Sequence, residues 1–225
     1  MKTTLLKPVA FAAFAISAVS FTSCVDKGDD TDYEELLRSE QVRVESLLRT
    51  QKPNIETYVQ GHPDASEWQE DTVKIRFHLL PNQPTAKRGI WYRVVSDADA
   101  DNTYDYGLTS NGTLALPTVK LKYKANLLDG TQVQSDATGS DYSFTILMNG
   151  SNNVFNSTWY YSFFPYSIKF NGKDEIVNGL TKDGLRKGSK LQVVAPSYWA
   201  FDQRSLESIP ANSPLVYEFE VMTIQ

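Results

Sequence analysis

The closing stretch of this 225-residue chain, Ile209 to Ile224, constrains its fold more than any other. Leu215, Tyr217, Phe219 and Val221 fall on one face of an extended segment, and Val216, Glu218, Glu220 and Met222 on the other. A period of two of this kind describes a strand with one face buried. Such a strand needs a neighbour, and Val119 to Leu128 supplies it: Val119, Leu121 and Tyr123 alternate with Lys120, Lys122 and Lys124, and Asp129-Gly130 closes the run in a turn. Gly89 to Val95 reads as a further strand. So does Val73 to Leu79, where Val73, Ile75, Phe77 and Leu79 alternate with Lys74, Arg76 and His78 until Pro81 and Pro84.

The first 23 residues stand apart from this pattern. Lys2 and Lys7 precede an apolar run from Pro8 to Phe21, and Thr22-Ser23-Cys24 follows, the layout of a secretory signal with small residues before a cysteine. The run holds about 14 apolar residues, short of the roughly 20 that span a bilayer. It resembles a lipobox, so Cys24 is expected to carry the lipid and to become the mature N-terminus of an outer membrane lipoprotein facing the periplasm or the cell surface. Cys24 is the only cysteine, which excludes an intrachain disulfide and a cysteine metal cluster. Losing residues 1–23 removes two lysines and no acids, taking the formal charge from -5 to -7. A chain this acidic is not expected to bind nucleic acid.

Residues 24–32 read as a polar tether with Asp26, Asp29, Asp30 and Asp32, similar to the surface-export signals of Bacteroidetes lipoproteins. Residues 33–86 form a helix and strand extension. Thr31-Asp32-Tyr33-Glu34 has the form of a capping box, and Leu36, Leu37, Val44, Leu47 and Leu48 follow at helical spacing up to Pro53. This amphipathic helix docks on the following domain or dimerises. His62 and His78 lie in no metal-ligand spacing. The acidic loop Asp97, Asp99, Asp101, Asp105 follows a calcium-loop template but has Asn102 at its glycine position and Leu108 at its bidentate glutamate position. No metal site and no cofactor are expected.

The order of four segments resembles an FKBP-type peptidyl-prolyl isomerase domain over 87–225. Tyr123 to Gly130 is similar to the family's Tyr-x-x-x-Leu-x-Asp-Gly. Ile176-Val177-Asn178-Gly179-Leu180 is similar to its Val-Ile-x-Gly-Trp, Asp183 to Lys190 to its Gly-Leu-x-x-Met-x-x-Gly-x-Lys, and Ile209 to Met222 to its closing strand. The resemblance implies an α+β fold in which an antiparallel, twisted sheet wraps a short helix at about 175–187, preceded by the N-terminal helix. An all-β sandwich is the alternative. Relative to the family an insertion falls at about 136–165 and ends in the aromatic run Trp159 to Tyr166, read either as strand packing or as a flap that contacts a glycan or partner protein.

The resemblance also implies a site. Its walls are Tyr123, Val133, Ile176, Val177, Leu180, Phe201, Ile209 and Tyr217, with the Val177 N–H as carbonyl donor and Phe201 in the place of a catalytic tyrosine. Tyr217 stands where the family has phenylalanine and keeps the ring, but three positions depart from the pattern. Val133-Gln134 stands for Phe-Asp, with Asp136 on the same strand face as Gln134. Leu180 replaces a floor tryptophan, and Phe201 lacks the tyrosine hydroxyl, leaving Tyr198 or Trp199 as donors. Rotating an X-Pro bond crosses a barrier of about 18–20 kcal/mol without making or breaking a bond, so a dry aromatic pocket serves where no nucleophile or metal is present. The expected function is a weak prolyl isomerase or chaperone of the cell envelope that takes a proline-containing peptide or unfolded protein. The alternative is a non-catalytic lipoprotein on the same fold that binds a peptide, protein or glycan.

Overall fold

The computed structural model describes residues 30–75, 86–149 and 152–225. Cys24, the signal segment, the tether up to residue 29 and the outer half of the expected strand at 73–79 lie outside them. The closing strand, β8 (Leu215–Ile224), sits between β3 (Thr118–Asn126) and β7 (Lys190–Ala195), antiparallel to both. Tyr123 faces Phe219, and Ala125 faces Tyr217 across the β3 pairing, as the two alternating runs require. With β1 (Gln69–Glu70), β2 (Trp91–Ser96) and β4 (Gln132–Ser143), these strands form one sheet in the order β1-β2-β7-β8-β3-β4, and every pair in it is antiparallel. Leu215, Tyr217, Phe219 and Val221 are all buried on its inner face. Lys124–Glu218 and Lys190–Glu220 ion pairs lie across neighbouring strands on the outer one.

The outer face is not all polar, because helix α1 (Asp30–Gly61) covers part of it. Buried residues recur at Val44, Leu48, Gln51, Ile55 and Val59, one stripe of helical period. Ile55 and Val59 pack with Trp68 against Val194 and Val216, which explains the one apolar residue on the polar face of β8's first half. The helix starts at Asp30 and runs through Pro53, where a stop was expected. An interior proline costs about 3 kcal/mol, and burying Ile55 and Val59 returns about 1.5–3 kcal/mol each, so continuation wins. Tyr33, Leu36 and Val42 stay exposed near its start.

The helix held inside the sheet is α3 (Ser157–Phe163), preceded by the short α2 (Phe144–Asn149); it is not at 175–187. The cause is local. Asn156 caps α3 by accepting the Thr158 N–H, whereas 175–187 begins in a strand and is interrupted by left-handed backbone at Asn178 (φ 67°) and Gly184 (φ 71°). Residues 167–176 form instead a separate hairpin, β5 (Ser167–Phe170) and β6 (Lys173–Ile176), turned by Asn171-Gly172 with both φ positive. The aromatic run is therefore helical. Trp159, Phe163 and Phe164 are sealed in the core and cannot act as a flap, while Tyr166 is 45 % exposed.

Candidate peptide site at the wrapped helix

The site is built around the first turn of α3. Asn156 uses both ends of its amide: Oδ1 accepts from the Thr158 N–H at 3.0 Å and Nδ2 donates to Tyr217 Oη at 2.7 Å. Thr158 Oγ1 donates to the Trp199 carbonyl at 3.0 Å, tying the loop after β7 to the same turn. In the same turn, Trp159 lies fully buried among rings, with centroids 4.9 Å from Tyr123, 5.1 Å from Phe219 and 5.6 Å from Tyr142. Edge-to-face contacts of this kind fix ring orientation as well as burying area. Tyr217 stacks with Phe219 at 5.4 Å, and burial pushes its hydroxyl pKa up.

The expected wall residues divide between the two ends of α3. Tyr123 and Tyr217 meet its beginning. Phe201, with the Arg204 guanidinium 5.8 Å from its ring, comes from the loop tied there by Thr158. Ile209 is buried in the same core, its backbone paired both ways with Leu206, and Val133 lies half-buried at the start of β4. Val177 and Leu180 sit elsewhere: the Val177 N–H donates to the Tyr166 carbonyl at 2.9 Å and the Leu180 N–H to Tyr161 at 2.8 Å, both at the end of α3 and just beyond it. Ile176 ends β6 and is 47 % exposed, so it forms no part of a wall with Tyr123.

Entry to the wrapped helix is thus Val154-Phe155-Asn156 and not Ile176-Val177. The Phe155 N–H at that entry donates to Asn152 Oδ1 at 2.5 Å. Both backbone donors that could meet a substrate carbonyl, on the expected assignment or on the observed one, already have acceptors within the chain. The residues that sequence reasoning missed are Phe155, Asn156, Trp159 and Tyr142. A signal for two of them existed: Asn156 followed by Trp159, with Phe163 four residues further on, is a capped amphipathic turn.

A carboxylate also borders the site. Asp136, opposite Tyr123 in the β3–β4 register, accepts from the Thr138 and Gly139 N–H groups at 3.1 and 2.8 Å and from Tyr142 Oη at 2.9 Å. A hydrogen bond from Ser140, then that from the Gly139 N–H, hold its pKa well below the usual carboxylate range, while burial and the bond to Asp136 raise that of Tyr142. Gln134 instead donates to the Asn153 carbonyl at 2.5 Å. The acidic loop is neutralised locally, Lys187 reaching Asp99 and Asp101 and Arg186 reaching Asp105. The site therefore gathers aromatic side chains at the start of α3 with one fixed carboxylate at its border.

Residues 115–222 match the family model described as FKBP-type peptidyl-prolyl cis-trans isomerase. The sheet extends beyond the match, since β1 and β2 precede it. No curated protein matches the chain. Among solved structures, a peptidyl-prolyl cis-trans isomerase from Pseudomonas syringae pv. tomato is 15% identical, with a TM-score of 0.44 over 81% of this chain and 96% of that one. FkpA from Escherichia coli is 20% identical, with a TM-score of 0.44 over 88% of this chain and 74% of that one. AtFKBP13 is 14% identical, with a TM-score of 0.40 over 60% of this chain and 91% of that one.

Proposed function

We propose that this chain binds proline-containing segments of peptides or unfolded proteins in the cell envelope and isomerises them weakly. The observation that carries the reading is the aromatic enclosure at the start of α3, formed by Tyr123, Trp159, Phe201 and Tyr217 within the stretch matched to FKBP-type isomerases. Excluding water favours the twisted, less dipolar imide of the transition state over the planar one. Weakness follows from the donors. The Phe155 and Val177 N–H groups are both engaged internally, and Phe201 has no hydroxyl, so the carbonyl of the rotating bond gains little stabilisation specific to the transition state. A protease-coupled proline-peptide assay on the full chain is expected to show slow but measurable acceleration, and a proline peptide is expected to shift the NMR signals of Tyr123, Phe155 and Tyr217. Shifts without acceleration would leave a binding protein on the same fold. Neither effect in a folded chain would remove the reading.

The location in this proposal is that of an outer membrane lipoprotein, anchored by a diacylglycerol on Cys24 and facing the periplasm or the cell surface. It is supported by the charge, apolar run and small residues that lead to Cys24. A glycan or partner protein at Trp159 to Tyr166 is not part of it, because the rings of Trp159, Phe163 and Phe164 face the core.

A further inference from the structure

The loop between β7 and β8, residues 196–214, carries Phe201 and Ile209 but has one short turn, Ser197–Trp199, as its only helical element. Two of its residues, Asp202 (φ 50°) and Asn212 (φ 59°), occupy left-handed backbone that residues with a side chain adopt at a cost. They are joined by a 2.7 Å bond from the Asn212 N–H to the Asp202 carbonyl. Both are also held from outside the loop, and by the same helix. Arg43 of α1 donates to the Asp202 carboxylate through Nη1 at 3.1 Å and Nη2 at 2.7 Å. Gln51, two turns further along α1, donates through Nε2 to the Asn212 carbonyl and to Ser197 Oγ, each at 2.9 Å, while its Oε1 accepts the Ser197 N–H at 2.9 Å.

Gln51 is 7 % exposed, so its amide is buried with all three hydrogen bonds directed at the two ends of one loop. Adhesion of α1 does not need this. Val44, Leu48, Ile55 and Val59 supply it through apolar burial, and a buried amide is tolerated only when its partners are in place. Between helix and loop the contact is not continuous: an open cleft runs there, lined by Ser46, Leu47, Thr50, Asn54, Gln203 and Pro214. The hydrogen bonds of Arg43 and Gln51 join loop and helix beside that cleft.

From these contacts we infer that α1 is a positioning element for the peptide site. Gln51 and Arg43 set the conformation of the loop 196–214, and with it the placement of Phe201 and Ile209, so the seating of α1 regulates peptide binding. The inference rests on the proline-peptide reading of the site and extends it to a segment of chain that lies outside the matched family stretch.

The test is hydrogen exchange read by mass spectrometry on the full chain, beside titration with a proline peptide, for wild type, Gln51→Leu, Arg43→Gln and Arg43→Lys. In Gln51→Leu and Arg43→Gln, amides of residues 197–212 are expected to exchange about tenfold faster while those of β3 and β8 keep their protection. Peptide affinity falls in the same order as loop protection, and Arg43→Lys lies between Arg43→Gln and wild type. Unchanged loop exchange overturns the inference, as does acceleration shared equally by β3 and β8, which would make α1 a stabiliser and nothing more. If Gln51→Leu does not fold, Arg43→Gln, at the partly exposed end of the contact, decides alone. A wild-type chain that binds no proline peptide would sink the peptide reading and the regulation built on it, whereas the exchange data would still decide whether α1 holds the loop.

Discussion

The pair Tyr217–Asn156 is the sharpest place to test how the site is held. Removing the hydroxyl in Tyr217→Phe leaves the ring in place but strips the Asn156 Nδ2 of its 2.7 Å acceptor inside the core, where both residues are buried. Leaving a buried donor unpaired costs about 1–3 kcal/mol, well above the net value of an ordinary hydrogen bond. Asn156→Ala removes the α3 cap as well, adding about 0.5–2 kcal/mol, and orphans the Tyr217 hydroxyl. The two losses share one interaction, so they cannot add. In the Asn156→Ala background, Tyr217→Phe deletes a hydroxyl that already lacks its partner and should be neutral or slightly stabilising. The cycle is therefore expected to show a coupling of about 1–2 kcal/mol, measured from urea midpoints of the four chains at a common m-value. Additive losses, or a Tyr217→Phe change within about 0.3 kcal/mol of wild type, would refute the claim that this bond anchors the helix to the closing strand.

Other outcomes follow from single contacts. A Cβ at Gly179 would lie 1.7 Å from the Phe164 carbonyl oxygen, so Gly179→Ala should cost at least about 1–3 kcal/mol in the same urea assay; an unshifted midpoint would contradict that approach. Leu180→Trp, which would restore the family's floor ring if Leu180 were the floor, should destabilise by about 1–3 kcal/mol with no gain in peptide affinity, because Leu180 is buried against the end of α3, away from the enclosure that Trp159 helps to wall. Burial pushes the hydroxyls of Tyr160 and Tyr198 up to about 12, so above about pH 10 the unfolded chain binds fewer protons than the native one and stability falls as pH rises towards 12; tyrosine absorbance titrating wholly near 10 in the folded chain would argue against this. Cys24→Ser should abolish incorporation of labelled lipid, and labelling that persists would place the anchor elsewhere.

What was legible in advance followed from how locally each feature is encoded. The β3–β8 pairing rests on two alternating runs whose faces can be read residue by residue, and the structure joins them with Tyr123 opposite Phe219. The helix at α1 was legible up to Pro53, but its continuation depends on Trp68, Val194 and Val216, residues distant in sequence that supply the burial needed to carry the chain through a proline. The wrapped helix was misplaced for a different reason. A run in which Trp159, Tyr160, Tyr161, Phe163 and Phe164 crowd together has aromatic residues at both strand and helical intervals, so periodicity alone does not choose. Asn156 chooses, since its side chain caps a helix and a strand has no use for that bond.

That displacement decides which part of the expected site survives as one unit. The motif read at Ile176 to Leu180 has the composition of a helix entry, yet its backbone is committed to the chain beside it: Val177 and Asn178 donate to Tyr166, Gly179 to Pro165 and Leu180 to Tyr161. A segment bound in this way over four consecutive N–H groups packs against α3 from outside and cannot also enter it. Tyr123, Phe201, Ile209 and Tyr217 share one core cluster, on or next to strands and turns that follow from the pairing of β3 and β8. Wall residues on the sheet were thus within reach of sequence reasoning. Those on the helix were legible only as a helix start at Asn156, because α3 reaches its place through Asn156 and Tyr217, a contact between side chains 61 positions apart that no local pattern announces.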